Sequence, residues 1–397
     1  MQTVATSWLV YRLSGSALLL GVAAGALQLP MLFLSPIAGV WADRLDRRRL
    51  LIIVQSFAAA QAIALAALVF AGVVAVWHVI GISLVLGAVN AIETPTRQAF
   101  LLELVGSKDD LPNAIALQSL LFNGARFIGP TIAGLILAVS SEAWCFLLNG
   151  LSYIAVVCAY WLIRVATRPP KRTAAPLWSE IAGGFRYAFG SVATRRLIVL
   201  LAAVSFFSAP WQSLMPIYAG KTFAGDSRTL GMLIGAVGLG GIVALAVLAV
   251  RPSVRGLGRI IAACSVLAGL ALTGFALSQL LWLSLALLPL FGFGLITSVA
   301  SSNTILQTIA DEDKRGRIIS IYVMTFLGIA PISNFLAGAI AEAIGVRWTM
   351  FGCGLGLTAA TVWFALNLAS WRAAVRPIYM KQGIIPKHPD RSNSISQ

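Results

Sequence analysis

The chain has 397 residues, of which 59% are hydrophobic and only 11% are charged, and its formal net charge is +15. A soluble domain carries about 25% charged residues, so this composition excludes an ordinary soluble fold and indicates a chain covered largely by lipid. The sequence has no convincing nucleophile–base pair, metal-ligand cluster or P-loop, which excludes the common enzyme classes and direct use of ATP; we predict no metal and no cofactor.

Uncharged segments long enough to cross a bilayer follow one another along the chain. A transmembrane helix needs roughly 20 apolar residues, and cutting the chain at its charges predicts eleven complete spans. Two of the segments are long enough for two helices each, with turns near Gly72 and Ser278. The segments are 13–42, 50–92, 111–141, 143–163, 197–220, 229–250, 260–310, 318–341 and 348–371.

The first eleven residues form a shorter apolar segment. At 1.5 Å per residue such a helix reaches about 16 Å, half of the hydrocarbon core. It lacks the basic region and cleavage site of a signal peptide. We therefore predict the second half of a first helix that is truncated at its N-terminus. The predicted fold is an all-α membrane protein of twelve helices in two six-helix bundles, and the predicted helices are called spans 1 to 12 below.

The basic residues separate into two sets. The loops after spans 2, 4, 6, 8 and 10 and the C-terminal tail together hold 24 of the 29 Lys and Arg residues, and the opposite loops hold four. Cytoplasmic loops of membrane proteins carry such an excess of cations. We therefore predict a multi-pass protein of the bacterial inner membrane with a cytoplasmic C-terminus. The bias also accounts for the net charge without a nucleic-acid partner.

An internal repeat relates the two halves of the chain. Gly134 matches Gly338 at an offset of 204 residues, and Gly21 matches Gly231 at an offset of 210. An even number of spans per half predicts a parallel repeat with the substrate near midplane between the halves. The predicted units are an N-terminal bundle, a cytoplasmic linker with an amphipathic surface helix, a C-terminal bundle and a cytoplasmic tail: 1–164, 165–194, 195–371 and 372–397. A mobile linker without fixed structure is the alternative for the second unit.

The loop after span 2 carries the first recognisable motif. It reads Gly39-Val-Trp-Ala-Asp43-Arg44-Leu-Asp46-Arg47-Arg48, and GxxxDRxxRR at this position resembles motif A of the major facilitator superfamily. The resemblance implies the major facilitator fold and a cytoplasmic latch. In that latch Gly39 permits close helix contact and Asp43 meets a helix N-terminus in the other half. The three arginines pair with carboxylates or lipid phosphates. A basic loop that only sets the topology is the alternative.

Span 5 carries a second motif. Gly129-Pro130-x-x-Ala133-Gly134 is similar to the antiporter motif C of the same superfamily, with Ala133 in place of a usual glycine. The resemblance implies export. Small residues let helices approach closely and Pro130 bends the helix. A packing helix without directional meaning is the alternative.

Arg126 is the one cation inside a predicted span. It lies 16 residues from both Asp110 and Glu142, which places it near the bilayer centre. An arginine there costs roughly 2.5–3.5 kcal/mol on insertion scales, so it must face the bundle interior or a wet cavity. We expect Arg126 to line the cavity and attract an anionic or oxygen-rich substrate. Structural hydrogen bonds to backbone carbonyls are the alternative.

The end of span 4 indicates which branch of the superfamily the chain resembles. The run Asn90-Ala-Ile-Glu93-Thr-Pro95-Thr-Arg97-Gln98, with the motif in span 5, resembles the enterobactin-exporter-like branch of the superfamily, the transmembrane secretion effectors, over nearly the whole chain. Glu93 and Arg97 are four residues apart on one helix face and are placed to pair. Glu93 is the candidate for proton coupling, and a plain cytoplasmic salt bridge is the alternative.

These observations predict a proton-coupled exporter that works by alternating access. The resemblance implies cargo that is small and amphipathic, such as a siderophore, a drug or another secondary metabolite. The expected partners are this substrate and membrane lipids, and the chain is expected to act as a monomer. An importer or lysophospholipid transporter on the same fold is one alternative, and a non-transporting membrane receptor or scaffold is another.

Overall fold

A computed structural model describes most of the chain. The described residues are 1–105, 110, 114, 117–118, 121, 125, 129–130, 132–137, 139–163, 186, 189–251, 253–310 and 315–381. Within them the secondary structure is helical and contains no strand. This confirms the predicted all-α class.

Thirteen α-helices have both ends within the described residues. α1 to α4 correspond to spans 1 to 4, α5 to span 6, α6 and α7 to span 7, and α8 to α12 to spans 8 to 12. Their bounds are Gln2–Ser14, Ala17–Arg44, Arg47–Phe70, Val76–Leu104, Glu142–Leu162, Val192–Ser208, Pro210–Ile217, Ser227–Ala249, Leu257–Leu277, Leu281–Ile309, Arg315–Ile344, Val346–Leu366 and Leu368–Lys381.

Ten segments of the described chain are long and apolar enough to cross a membrane. α1 has 13 residues and is too short to count among them. Span 5 is described only at separate positions, and those between 114 and 139 are helical. The chain is therefore a multi-pass membrane protein with the predicted order of spans.

The boundaries of the first helices follow from local chemistry. Gly72 has a φ of 70° in the turn between α3 and α4, which is the turn that the sequence predicted. Asp46 caps α3, because its Oδ1 accepts the backbone N–H of Arg49 at 3.0 Å. The predicted turn near Ser278 is also confirmed, since α9 ends at Leu277 and α10 begins at Leu281.

Span 7 was predicted as a single helix, but the structure divides it into α6, α7 and a π-helical turn. Pro210 lacks an N–H, so the ladder of helical hydrogen bonds is interrupted between α6 and α7. Ala209 at this interruption keeps helical dihedrals, with φ −56° and ψ −40°. A π-helical turn, Tyr218–Thr222, follows α7. Irregular turns of this kind often occur at functional sites.

The chain leaves the last span earlier than predicted. The uncharged segment predicted that span 12 extends to residue 371, whereas α12 ends at Leu366 and a separate helix, α13, begins at Leu368. The cause is the side chain of Trp371, which is 3% exposed and whose indole N–H donates to the carbonyl of Ala193 at 3.0 Å. Burying this ring holds α13 against the start of α6.

Two glycine crossings join the halves at one end of the molecule. A Cβ on Gly21 of α2 would collide with the backbone of Asn334 in α11 and lie 3.1 Å from the Cα of Gly338. A Cβ on Gly134 of span 5 would lie 2.6 Å from the Cα of Gly231 in α8. These contacts require glycine, because only a residue without a side chain permits this approach. We call this end, where α2 and α8 begin, the crossing end, and the other the basic end.

Candidate functional site

An open cavity lies between the two halves, with about 620 Å³ of empty space counted out to its mouth. Helices α1, α2 and α4 of the first half and α7 and α11 of the second half line it. Its polar lining residues are Gln2, Thr3, Thr6, Ser7, Gln28, Ser83, Gln212, Ser213 and Asn334.

Amides and hydroxyls dominate the polar chemistry of this cavity, and none of its described lining residues is charged. Ser213 donates its hydroxyl to Oδ1 of Asn334 at 2.8 Å, which joins α7 to α11. Oε1 of Gln28 is buried and has no hydrogen-bond partner within the described part of the chain. A buried amide oxygen without a partner is costly, so the cavity favours a ligand that donates a hydrogen bond there.

A buried amide network fixes the start of α1 beside the cavity. Nε2 of Gln2 donates to Oε1 of Gln61 at 2.8 Å, and Nδ2 of Asn149 donates to Oε1 of Gln2 at 2.7 Å. The network therefore joins α1, α3 and α5. Networks in which every member is paired hold one geometry, so Gln2 is held in place in the wall.

Replacing Gln61 with leucine is expected to lower the thermal stability of the protein. The Gln61→Leu change leaves Nε2 of Gln2 without its acceptor in a buried site, at a cost of about 1–3 kcal/mol, while Oε1 of Gln2 keeps its bond from Asn149. Gln55 supplies a matched control on the same helix, because both side chains are 6% exposed but Oε1 of Gln55 has no partner in the described structure. We expect Gln55→Leu to leave the melting temperature unchanged or raise it. Equal destabilisation of both variants would contradict the role of the network.

A carboxylate from the second half caps a helix of the first half at the crossing end. Oε2 of Glu342, in α11, accepts the N–H groups of Ala17 at 2.7 Å and Leu18 at 3.2 Å, and the hydroxyl of Ser16 at 3.0 Å. Negative charge is favoured at a helix N-terminus, where backbone N–H groups lack partners. We call these four residues the Glu342 clasp. The clasp was not predicted from the sequence, since Ser16 indicates a helix start but not which distant carboxylate meets it.

The described residues of motif A make two kinds of contact at the basic end. Arg47 pairs with Glu103 of α4 at 2.6 Å, so the implied pairing with a carboxylate is present. Arg48 instead donates to the carbonyls of Tyr160 and Trp161 at 2.7 and 2.5 Å. The last carbonyls of a helix have no intrahelical donor, so the end of α5 offers a favourable partner for a cation. The side chains of three further motif residues lie outside the described residues: Gly39, Asp43 and Arg44.

The predicted pair on α4 is present. Nε of Arg97 lies 2.6 Å from Oε1 of Glu93, and both side chains are largely buried. Glu93 follows the cavity residue Ser83 by ten positions, or about 15 Å along a helix. The pair therefore lies between the cavity and the basic end. Its role in proton coupling stays a prediction.

Some of the remaining predicted residues lie in the described part of the chain, and the others lie outside it. Gly129, Pro130 and Gly134 occupy helical positions, and Gly134 forms one of the crossings. Arg126 and the predicted surface helix of the linker up to residue 185 lie outside the described residues. The amides that line the cavity were not predicted. The interruption at Pro210, which precedes Gln212 and Ser213, was their visible signal in the sequence.

Comparisons with known proteins agree with this architecture. Residues 1–383 match the family described as transmembrane secretion effector. The chain is 27% identical to a staphyloferrin A transporter of Staphylococcus aureus, covering 91% of this chain and 90% of that one. It is 28% identical to the multidrug efflux pump Tap of Mycolicibacterium fortuitum, covering 89% and 88%.

Solved structures share the fold at low sequence identity. A bacterial homologue of the lysosomal transporter Spinster, in an inward-facing and occupied conformation, superposes with a TM-score of 0.71 at 15% identity over 94% of this chain and 93% of that one. The nucleoside transporter NupG gives a TM-score of 0.65 at 13% identity over 95% of each chain. These likenesses show a common arrangement of helices and say nothing of the cargo.

Proposed function

We propose that this chain, which belongs to the transmembrane secretion effector family of the major facilitator superfamily, exports a small amphipathic molecule from the bacterial cytoplasm. Its family and its relatives are transporters, so the chain is a membrane transporter and not an enzyme. The direction of transport, the cargo and the coupling ion belong to the proposal.

The observation that carries the proposal is the neutral, amide-rich cavity shared by both halves. Hydroxyls and amides suit a cargo with several hydrogen-bonding groups, and the apolar walls from Leu20, Leu27 and Leu86 suit its hydrocarbon parts. The names of the relatives point to the same range of chemistry, a siderophore in one case and several drugs in the other. Our proposed cargo is therefore a siderophore, drug or other secondary metabolite.

The proposed mechanism is alternating access. The excess of Lys and Arg at the basic end supports a cytoplasmic position for that end, with the crossing end outside. On this orientation the two glycine crossings and the Glu342 clasp close the outer side of the cavity. Cargo enters from the cytoplasm, and the halves then separate at the crossing end. The clasp and both crossings have to break in that step, because each joins one half to the other.

The proposed energy source is the proton gradient, with the Glu93–Arg97 pair as its sensor. A proton on Glu93 removes the negative charge that holds Arg97 at 2.6 Å. The released arginine is then attracted to other carboxylates at the basic end. Proton binding therefore favours one arrangement of this end over the other, which is the requirement for coupling.

Direction is tested in everted membrane vesicles with an imposed inward-acidic pH gradient and a fluorescent amphipathic dye. Everted vesicles expose the cytoplasmic side, so an exporter accumulates dye inside them and an importer does not. We expect Gln28→Leu to slow the initial rate about 3- to 10-fold, the effect of one lost hydrogen bond of 0.5–1.5 kcal/mol. Gln98→Leu, on an exposed part of α4, is the control and is expected to keep the rate. Dye loss under the same gradient would contradict export.

A further inference from the structure

A second cavity, separate from the transport cavity, lies at the basic end of the C-terminal half. The loop between α8 and α9 forms one wall and the final helix α13 forms the other, with about 860 Å³ of empty space counted out to its mouth. Three arginines and two aromatic side chains line it: Arg255, Arg372, Arg376, Trp371 and Tyr379. We call it the basic pocket. It goes beyond the proposed function, because no step of transport uses it.

The wall formed by α13 is held firmly in place. Trp371, Val375 and Tyr379 are 3%, 2% and 7% exposed, and their spacing of four residues places them on one face of the helix. The indole N–H of Trp371 donates to the carbonyl of Ala193, and its ring fills the space that a Cβ on Gly258 would take. The pocket is therefore built by packing between α6, α9 and α13.

Two arginines of the basic pocket lie on one face of α13. Arg372 and Arg376 are four residues apart on α13, and neither forms an ion pair within the described part of the chain. Partial burial and, second, the nearby charge of Arg259 lower the pKa of Arg372. Like charges at this separation repel one another, so a bound anion would stabilise the arrangement. Guanidinium groups bind phosphate well because their paired N–H groups match its oxygens.

The basic pocket lies beside the edge of the bilayer, which favours a lipid as the source of a bound phosphate. Val250 at the end of α8 is 82% exposed and Leu366 at the end of α12 is 80% exposed. Large apolar side chains exposed to this degree on a membrane protein are covered by hydrocarbon, so the edge of the bilayer lies within a few residues of the pocket. An anion that reaches this pocket from the membrane is carried by a lipid.

We propose that the basic pocket binds the phosphate headgroup of an anionic phospholipid, with Arg372 and Arg376 on the phosphate and Trp371 and Tyr379 beside the glycerol backbone. Basic pockets between helices at the cytoplasmic face of membrane proteins bind such headgroups. The bound lipid fastens α13 and the α8–α9 loop of the second half to one leaflet. Arg251 supports the loop by donating to the carbonyls of Ser253 and Arg255.

The test measures lipid binding to the purified full chain in an uncharged detergent by native mass spectrometry. The probes are phosphatidylglycerol and phosphatidylcholine, with glycerol 1-phosphate as a soluble competitor. The pocket variant is Arg372→Gln with Arg376→Gln. The control is Arg49→Gln with Arg228→Gln, which removes the same net charge from two exposed sites elsewhere. The single variant Arg376→Gln removes one exposed arginine. It still tests the proposal if the double variant does not fold.

We expect the pocket variant to bind phosphatidylglycerol about 30-fold more weakly than the unaltered chain, since each arginine near a membrane surface contributes about a factor of five. The single variant should lose about fivefold and the control less than twofold. Equal binding of phosphatidylglycerol by the pocket variant and the unaltered chain would overturn the proposal. Binding of phosphatidylcholine as tight as that of phosphatidylglycerol would overturn it as well. Displacement by glycerol 1-phosphate at the lipid's own concentration would show a site for free phosphate esters and overturn the lipid assignment.

Discussion

Gly231→Val is expected to stop transport, because a side chain at this position prevents the halves from closing at the crossing end. A Cβ on Gly231 would lie 2.8 Å from the Cα of Gly134, and this neighbour is backbone that cannot turn away. Overpacking a close contact costs typically 1–3 kcal/mol and sometimes more. A cost of about 3 kcal/mol shifts the balance between closed and open arrangements about 100-fold. A transporter that cannot close one side cannot alternate.

The measurement combines a rate with a conformational readout. The initial rate of dye transport should fall at least tenfold in Gly231→Val vesicles. A cysteine at Ser213, in a chain whose four native cysteines are replaced, should react faster with an impermeant maleimide added from the crossing end. Gly352→Val is the matched control, because Gly352 is in α12 and a Cβ there meets nothing within 4 Å. Normal transport by Gly231→Val would show that this crossing does not close the cavity.

Glu93→Gln is expected to uncouple transport from the proton gradient. Glutamine keeps the size of the side chain but carries no charge and accepts no proton, so the signal that the Glu93–Arg97 pair is proposed to give disappears. Transport driven by an imposed pH gradient should fall to the level of vesicles without the protein. Exchange of labelled for unlabelled cargo, which needs no net proton movement, should continue.

Glu103→Gln separates coupling from the loss of any salt bridge on this helix. Glu103 also belongs to α4 and also pairs with an arginine at 2.6 Å, in this case Arg47. We expect this variant to keep its dependence on the pH gradient, with a change in rate only. If both variants lose gradient-driven transport and exchange together, the Glu93–Arg97 pair is a structural salt bridge and another group carries the proton.

The predicted internal repeat relates the two crossings to each other. The offset of 210 residues carries Gly21 to Gly231, and the offset of 204 carries Gly338 back to Gly134. The contact of Gly21 with Gly338 is therefore the repeat equivalent of the contact between Gly231 and Gly134. Both contacts join the first half to the second at the same end. A symmetric pair of close contacts suits a closure that both halves form together.

The Glu342 clasp has no such counterpart among the described residues. It ties α11 to the start of α2 through three hydrogen bonds to one carboxylate oxygen. Its side chain is exposed, so each bond is weak in water, and the clasp is suited to opening and closing rather than to permanent closure. The second crossing, at Gly231, closes without a charged partner in the described structure.

The class of the protein, the order of its spans and the pairing of Glu93 with Arg97 were all predictable from the amino-acid sequence. The class and the spans follow from the surrounding solvent, because apolar segments of about 20 residues have to enter lipid. The pair follows from the geometry of a single helix, because residues four apart on a helix are adjacent. The repeat also identified the four glycines, because matching positions in two similar halves carry similar residues. None of these inferences requires knowledge of which helices touch.

The residues that meet across the halves could be identified only from the arrangement of the helices in space. The sequence contains Glu342 and Ser16 more than 300 residues apart, and no local pattern connects them. The neutral polar side chains of the cavity come from five helices, and the arginines of the basic pocket come from a loop and a helix over a hundred residues further along the chain. Hydrogen bonds and packing act over a few ångströms, so these sites exist only once the helices are placed side by side.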